Sequence, residues 1–357
     1  MADVQPFRAL RYGEAAGPLD TLVAPPYDVI SPEQREELAA RSPYNVVRLT
    51  LPDSEDEAAR TLAAWRADGI LVDEPPAVWA LRQAYVGPDG VARRREGIVV
   101  SLSVEPYDRG AVLPHERTHA GPKEGRLRLL RATGVQLEPI FLLYDGKPPL
   151  VPPAREPDLA ADGASLWRMD DTVAVADAFA DRQLLIADGH HRYETALAYA
   201  AETGTPAAAR MPVVLVSTED PGLEIFATHR VFAGPIPAGT NGATDVESAL
   251  AELETRGYDR AAAVVYRDGR AGVIEGEQGQ LDVQLVDRFG HEGIAYTPDW
   301  REAVGRVDSG AAAAAVLLRP TRIEDVFAVA RRGEVMPQKS TYFFPKLLSG
   351  LLFHPVA

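Results

Sequence analysis

Apolar positions along the chain follow two periods, one typical of strands and one typical of helices. The apolar runs at 78–86 and 96–104 flank Gly-Pro-Asp-Gly at 87–90, which is the composition of a turn between two antiparallel strands. Within 55–68 the apolar residues recur at helical spacing, and Gly69 ends the predicted helix. The chain is therefore predicted to have a mixed α/β (α+β) fold.

Local signals set two further predictions near the N-terminus. Ser31 followed by Pro32 is typical of a helix start, with serine as the N-cap and proline at the first helical position. The segment 46–51 is short and mostly apolar, and we predict a strand there.

One glycine joins a predicted buried strand to a predicted helix. The apolar segment 184–187 leads into Asp188 and Gly189, and the helix follows. Glycine lets the backbone turn sharply, so that the unpaired N–H groups at the helix start approach an anion. We predict a phosphate site here, with Gly189 and Arg192 as cofactor-binding residues. The alternative for Arg192 is a structural ion pair with Asp188 or Glu194.

The same turn carries two adjacent histidines. His190 and His191, together with Asp188, are predicted to be catalytic, because ionisable groups gathered in one turn are typical of a functional site. The alternative is a capping or core-packed histidine pair. The segment is not a Walker loop, because Gly-Lys-Ser/Thr is missing, and it lacks the second and third glycines of a dinucleotide fingerprint.

A second group of ionisable residues lies at 115–119, with Lys123 nearby. Phosphoryl transfer needs cations around the moving phosphate and a carboxylate that holds magnesium or accepts a proton. Glu116 is therefore predicted to be a catalytic base or a metal ligand, and Arg117 and Lys123 to bind the cofactor. We expect this segment and the Asp188 turn to face one cleft. The alternative is a solvated loop whose charges pair with each other.

Three residues elsewhere are further candidates. Asp28 follows two prolines that fix its direction, and it is either a metal ligand or a helix-entry residue. Lys339 and Ser340 precede the aromatic run 342–344, and we predict that they contact phosphate or substrate. Aromatic density of this kind is more often core or interface.

Composition removes several classes of function. The 357 residues include 52 Asp and Glu but 37 Lys and Arg, so the net charge of −15 gives no broad basic surface for nucleic acid. Cysteine is absent, which excludes disulfides, thiolate nucleophiles and iron–sulfur clusters. No stretch of about 18 apolar residues occurs, so we expect a cytoplasmic protein without membrane contact.

Motifs spread over nearly the whole chain carry a family resemblance. They are Ala24-Pro25-Pro26-Tyr27-Asp28-Val29-Ile30, Pro43-Tyr44-Asn45-Val46-Val47-Arg48, Leu113-Pro114-His115-Glu116-Arg117-Thr118, Gly121-Pro122-Lys123, Ala187-Asp188-Gly189-His190-His191-Arg192-Tyr193, Thr228-His229-Arg230 and the segment from Met336 to Lys346. Together they resemble DUF1015, a family of uncharacterised bacterial proteins. This resemblance implies no established activity.

The segment that begins at Gly189 also resembles a wider superfamily. Residues 189–196 are similar to the glycine–arginine box of the ParB/sulfiredoxin superfamily, in which a glycine turn and an arginine hold nucleotide phosphates. Upstream, 128–135 and 138–141 are similar to its helix and Pro-Ile strand. The resemblance implies a ParB/sulfiredoxin-like core at 110–235, an N-terminal α/β segment at 1–109 and a C-terminal α/β segment at 236–357 packed on the core.

The superfamily includes a nucleotide-hydrolysing clamp, a sulfinic-acid reductase and a free-serine kinase. Without cysteine the reductase chemistry is excluded, and without a basic block the DNA clamp is excluded. The resemblance then implies a phosphotransferase that uses ATP or another nucleoside triphosphate, with Mg²⁺, on a small hydroxylated metabolite such as the amino acid serine. The alternative is a non-catalytic or slowly hydrolysing nucleotide sensor. We expect no nucleic-acid partner, and homo-oligomerisation is left open.

Overall fold

The computed structural model describes residues 2–117, 120–170, 173–236 and 244–356, and it confirms the mixed α/β fold class. The strands are β1 (Val4–Gln5), β2 (Leu10–Tyr12), β3 (Leu71–Asp73), β4 (Val78–Val86), β5 (Ala92–Ser103), β6 (Val112–Leu113), β7 (Val135–Gln136), β8 (Ile140–Tyr144), β9 (Leu159–Ala161), β10 (Ala164–Met169), β11 (Leu184–Asp188), β12 (Arg210–Ser217), β13 (Glu224–Phe226), β14 (His229–Phe232), β15 (Arg260–Arg267), β16 (Arg270–Gln278), β17 (Ile294–Thr297), β18 (Ala314–Leu317), β19 (Tyr342–Phe344) and β20 (His354–Pro355). The helices are α1 (Pro32–Arg41), α2 (Val47–Thr50), α3 (Glu55–Ala67), α4 (Ala120–Thr133), α5 (Val173–Phe179), α6 (His190–Thr203), α7 (Val246–Glu254), α8 (Asp282–Asp287), α9 (Trp300–Asp308) and α10 (Ile323–Arg331).

The chain divides into two compact units. The first comprises Met1–Gly87, Ala92–Leu223 and Pro345–Ala357, and the second comprises Pro88–Val91 and Glu224–Phe344. Of the core predicted at 110–235, residues 110–223 belong to the first unit and 224–235 to the second. Within the described parts of the chain, no helix combines the length and the apolar character that a membrane span requires.

A mixed sheet of nine described strands forms the centre of the first unit. Its order is β6-β11-β8-β12-β5-β4-β10-β9, and β1 pairs with β5. The pairs β6/β11 and β8/β12 are parallel. All residues of β8 are buried and apolar, as expected for a strand whose two faces are both covered. Helix α6 packs against this sheet and against α4, so the turn that precedes α6 is fixed by the core.

Two of the local predictions are confirmed. β4 and β5 pair as the predicted antiparallel hairpin. Ser31 caps α1, because its Oγ accepts a hydrogen bond from the Gln34 N–H at 3.2 Å, while the Gln34 side chain accepts one from the Ser31 N–H.

The strand predicted at 46–51 is wrong, because this segment forms the short helix α2. The fully buried side chain of Asn45 donates to two backbone carbonyls, those of Thr21 and Val23. Its oxygen accepts a hydrogen bond from the Val47 N–H at 3.0 Å. These contacts fix the entry to α2, and they override the strand preference of the valines that follow.

The end of the chain returns to the first unit, and we call residues 345–356 the C-terminal strap. Fully buried Arg95 on β5 donates to the Pro345 carbonyl at 2.7 Å. On the neighbouring strand β4, the side-chain N–H of Gln83 donates to the Lys346 carbonyl at 3.3 Å. The side-chain oxygen of Gln83 accepts a hydrogen bond from Arg95 at 2.7 Å. The direction of the strap at Lys346 is therefore set by two side chains of the central sheet.

An antiparallel sheet with the order β16-β15-β18-β14-β17 builds the second unit. Helices α7, α8 and α9 pack against it. Behind β18, the buried guanidinium of Arg319 donates to both carboxylate oxygens of Asp282, at 2.8 and 2.7 Å. This bidentate ion pair links the start of α8 to the segment that follows β18.

We expect Phe353→Ala to lower the free energy of unfolding by about 3–5 kcal/mol, because it leaves a cavity in the core. Phe353 belongs to the strap and is fully buried, and the centroid of its ring lies 5.7 Å from that of Tyr12. Urea denaturation followed by circular dichroism measures the change. The control Val151→Ala, at a position that is 59% exposed, should change it by less than about 0.5 kcal/mol. A loss below about 1 kcal/mol for Phe353→Ala would show that the strap is not part of this core.

Candidate functional site

Gly189 makes the sharp turn predicted between β11 and α6. Its φ is +102°, a conformation that favours glycine. An added Cβ would lie 2.5 Å from Cγ2 of Ile140 on β8, so a side chain would collide with the core. The glycine is required both by the backbone conformation and by close packing.

Asp188 ends β11 with its carboxylate between two cations. One oxygen accepts a hydrogen bond from Arg192 at 2.7 Å, and the other accepts one from the ammonium group of Lys346. Burial alone would raise the pKa of Asp188, but the charges of Lys346 and Arg192 outweigh it and hold that pKa well below its ordinary value. Asp188 is therefore an anion at neutral pH.

Arg192 is held from two sides. Besides Asp188, its guanidinium donates to the backbone carbonyl of Pro139, directly before β8. Burial disfavours the charged form, but the neighbouring carboxylates of Glu138 and Asp188 outweigh burial and raise the pKa of Arg192. The ion pair with Asp188, which the sequence left as the alternative, is thus present. The role of Arg192 towards phosphate stays a prediction.

His115 and His190 form a buried pair beside the turn. The backbone N–H of His115 donates to Nε2 of His190 at 3.2 Å. The two imidazole rings pack edge to face, with their centroids 4.7 Å apart. Nδ1 of His115 lies 2.7 Å from the Ile186 carbonyl oxygen, which can only accept, so Nδ1 carries the proton. Burial lowers the pKa of both rings, so both are neutral at pH 7 and contribute hydrogen bonds rather than charge.

The structure brings the segment that contains His115 next to the start of α6. In addition to the histidine pair, Lys123 on α4 donates to Glu194 on α6 at 3.2 Å. The Glu116 side chain is 25% exposed, and its Oε1 lies 4.0 Å from Nε2 of His115. Glu116 is therefore the partly accessible carboxylate beside the histidine pair.

The remaining residues predicted for these two segments differ in exposure. Arg117 is exposed, and His191 is half-buried in the first turn of α6. Thr118 and His119 lie outside the described residues.

The other three predicted residues belong to neither of these two segments. Asp28 is exposed in the short 3-10 turn Tyr27–Val29, and its charge contributes to the raised pKa of Arg192, after Glu138 and Asp188. Exposed Lys339 has a φ of +57°, and the Oγ of buried Ser340 donates to the Pro337 carbonyl at 2.6 Å. Lys339 and Ser340 belong to the second unit.

The described residues form no pre-assembled metal centre. Within 2–117, 120–170, 173–236 and 244–356, no three side chains of the metal-ligating types gather closely enough to hold a metal ion.

Sequence reasoning missed Lys346 as a site residue. Lys346 ends the 336–346 motif of the family resemblance, but it lies 158 positions from Asp188 and no local pattern signals their contact. It also missed Glu138, which is 5% exposed and accepts a hydrogen bond from Ser349 of the strap at 2.6 Å. Both contacts depend on the return of the C-terminal strap.

We expect Asp188→Asn to lower the free energy of unfolding by about 2–4 kcal/mol at pH 7, because Lys346 and Arg192 would lose their counter-charge. The folded-state pKa of Asp188 is depressed, so its stabilisation is fully present above the unfolded pKa of about 3.9 and is lost as pH falls further. The difference between wild type and variant should thus be constant from about pH 7 to 5 and shrink below about pH 4.

Chemical denaturation at a series of pH values measures that difference. The control is Asp170→Asn, because the Asp170 side chain is 96% exposed in its pair with Arg168 and should contribute less than about 0.5 kcal/mol. Equal stability of Asp188→Asn and wild type at pH 7 would contradict a stabilising role of the ion pairs.

Three solved structures illustrate what the chain is similar to. A conserved hypothetical protein from Pyrococcus furiosus is 15% identical, with 71% of this chain and 95% of that chain covered and a TM-score of 0.39. A free serine kinase in complex with AMP is 15% identical, with 71% and 92% covered and a TM-score of 0.41. SbnI with a C-terminal truncation, from Staphylococcus aureus, is 14% identical, with 69% and 84% covered and a TM-score of 0.38. No curated protein matches the chain.

The family assignment comes from the sequence itself. Residues 4–284 match the family described as "Protein of unknown function (DUF1015)", which confirms the resemblance. The matched range is well over half of the chain and includes the Asp188 turn, His115 and Lys123, whereas the C-terminal strap lies beyond it. The chain belongs to the DUF1015 family.

Proposed function

We propose that this protein binds a nucleoside triphosphate at the Gly189 turn and transfers its terminal phosphoryl group to the hydroxyl of a small metabolite such as an amino acid. The observation that carries the proposal is the Asp188 carboxylate, whose side chain is only 16% exposed and which Lys346 and Arg192 hold directly before the start of α6. A fixed array of one anion and two cations at a helix start is suited to charged phosphates.

Phosphate binding is assigned to the first turn of α6. The N-cap is Gly189, and no described side chain caps the helix there. The first N–H groups of any α-helix lack an acceptor within the helix, and the positive end of the helix dipole favours an anion. The ammonium group of Lys346, fixed by Asp188, adds a positive charge beside this turn.

The proton-accepting role is assigned to Glu116 rather than Asp188. A carboxylate whose pKa is held well below the ordinary value, as that of Asp188 is, is a weak base. Glu116 is partly exposed beside His115, so it can reach a substrate hydroxyl. The neutral rings of His115 and His190 orient the groups around them through hydrogen bonds.

In the proposed reaction the substrate hydroxyl oxygen attacks the terminal phosphorus, and its proton passes to Glu116. The bond between that phosphorus and the bridging oxygen breaks, and the nucleoside diphosphate leaves with the electron pair. Mg²⁺, when bound, would keep several water ligands and need only one or two carboxylates. Asp28 is the candidate ligand where Glu116 accepts the proton. Arg117 and Lys123 are proposed to offset charge at the phosphates.

We expect Lys346→Met to lower kcat/KM for phosphoryl transfer by about a hundredfold or more, because it removes a cation from the phosphate site. The assay measures nucleoside diphosphate release with ATP and Mg²⁺, with and without a panel of hydroxylated amino acids. Lys147→Met is the matched control, because Lys147 is exposed in the same unit, and it should keep wild-type turnover.

Wild-type turnover in Lys346→Met, with its fold checked by circular dichroism, would contradict the assigned phosphate site. Binding of ATP without turnover on any member of the panel would instead identify a nucleotide sensor.

A further inference from the structure

A polar cavity lies in the first unit, and we call it the Arg126–Glu138 cavity. The empty space along its lining, counted together with the open solvent at its mouth, is about 360 Å³. Its polar lining consists of Arg126, Gln136, Glu138, Arg192 and Thr195, and leucine and valine residues complete it. Because Arg192 also holds Asp188, the cavity adjoins the proposed phosphate site.

Glu138 brings an incompletely paired carboxylate to this cavity. Its residue surface is only 5% exposed. Oε1 accepts hydrogen bonds from the Ser349 hydroxyl at 2.6 Å and from the Tyr27 N–H at 3.1 Å, whereas no described group donates to Oε2. The N–H groups of a ligand ammonium would supply Oε2 with the donors that the described residues do not.

Arg126 brings a guanidinium whose plane is already fixed. It lies over the ring of Tyr27, 4.1 Å from the centroid, and one terminal nitrogen donates to the Thr50 carbonyl at 2.7 Å. Its other N–H groups donate to no described residue. A fixed planar fork with donors to spare matches the geometry of a carboxylate.

Gln136 provides a second, independent sign of a missing ligand. The residue is 7% exposed, and its side-chain nitrogen is buried without a hydrogen-bond partner among the described residues. Native proteins seldom leave such a donor unpaired. A carboxylate or hydroxyl oxygen in the cavity would supply the acceptor.

We propose that the Arg126–Glu138 cavity binds the acceptor substrate of the reaction described above, and that this acceptor is a small α-amino acid with a hydroxyl side chain. Arg126 and Gln136 receive its carboxylate, and Glu138 receives its ammonium group. This inference rests on the proposed function and adds to it the class of acceptor and the groups that recognise it. Apart from Arg192, whose guanidinium is already paired with Asp188, the cavity presents one cation, Arg126, and one anion, Glu138, and a zwitterion is complementary to these two groups.

Two related ligand classes fit less well. A hydroxy acid such as glycerate carries the carboxylate for Arg126 but leaves Oε2 of Glu138 without a donor. An amino alcohol such as ethanolamine carries the ammonium group for Glu138 but leaves Arg126 without an anion. Glycerate and ethanolamine should therefore both bind more weakly than a hydroxy amino acid, because each leaves one charged group of the cavity, Glu138 or Arg126, without its partner.

Isothermal titration calorimetry on the full chain tests this directly, with L-serine, L-threonine, L-homoserine, glycerate and ethanolamine as probes. We expect at least one of the hydroxy amino acids to bind and glycerate and ethanolamine to bind at least tenfold more weakly. Glu138→Gln and Arg126→Met should each weaken amino-acid binding by about tenfold to a hundredfold while ADP affinity is retained.

The matched controls are Arg128→Met and Glu124→Gln, whose exposed side chains lie on the same helix α4. Both should bind as wild type does. If Glu138→Gln departs from the wild-type circular dichroism spectrum, Arg126→Met decides the matter alone.

Three results would overturn the inference: no binding of any of the three hydroxy amino acids, equal binding of glycerate, or wild-type affinity in both variants. Phosphoryl transfer to an acceptor without an amino group would remove this inference and keep the proposed function. Amino-acid binding in the cavity without any phosphoryl transfer would contradict the proposed function and keep the cavity as an amino-acid site.

Discussion

A carboxylate with little access to solvent must be balanced by positive charge, and Asp188, whose side chain is 16% exposed, imposes this constraint on the first unit. One of its cations, Arg192, is local and comes from the next turn of the chain. The other, Lys346, comes from 158 positions further along. Since an unbalanced charge of this kind is strongly unfavourable, the contact with Lys346 couples the strand-to-helix turn to the C-terminal strap.

The same strap contributes to both proposed binding places. Lys346 pairs with Asp188 beside the helix start, and three residues later Ser349 donates to Glu138 in the Arg126–Glu138 cavity. Arg192 lies between them, since it contacts Asp188 and lines the cavity. Displacement of the strap would therefore disturb the phosphate site and the acceptor site together.

The sequence predicted what depends on neighbouring residues. The glycine turn at 189, the hairpin of β4 and β5 and the grouping of ionisable residues near Glu116 all carry local signals. The error at 46–51 arose because the distant partners of Asn45 outweigh the strand preference of the valines. Lys346 could not be found for the same reason, since its contact closes a loop that no pattern in one sequence encodes.

Amide hydrogen–deuterium exchange with and without ADP and Mg²⁺ tests the phosphate site most directly. The first-turn N–H groups of a helix exchange readily unless something outside the helix accepts their hydrogen bonds. We expect saturating ADP to slow exchange by at least tenfold in a peptide that spans the start of α6, residues 188–194. The ADP concentration must be one that calorimetry shows to saturate the protein. If exchange then slows in other peptides but not in this one, the assignment of the Gly189 turn as the phosphate site is contradicted.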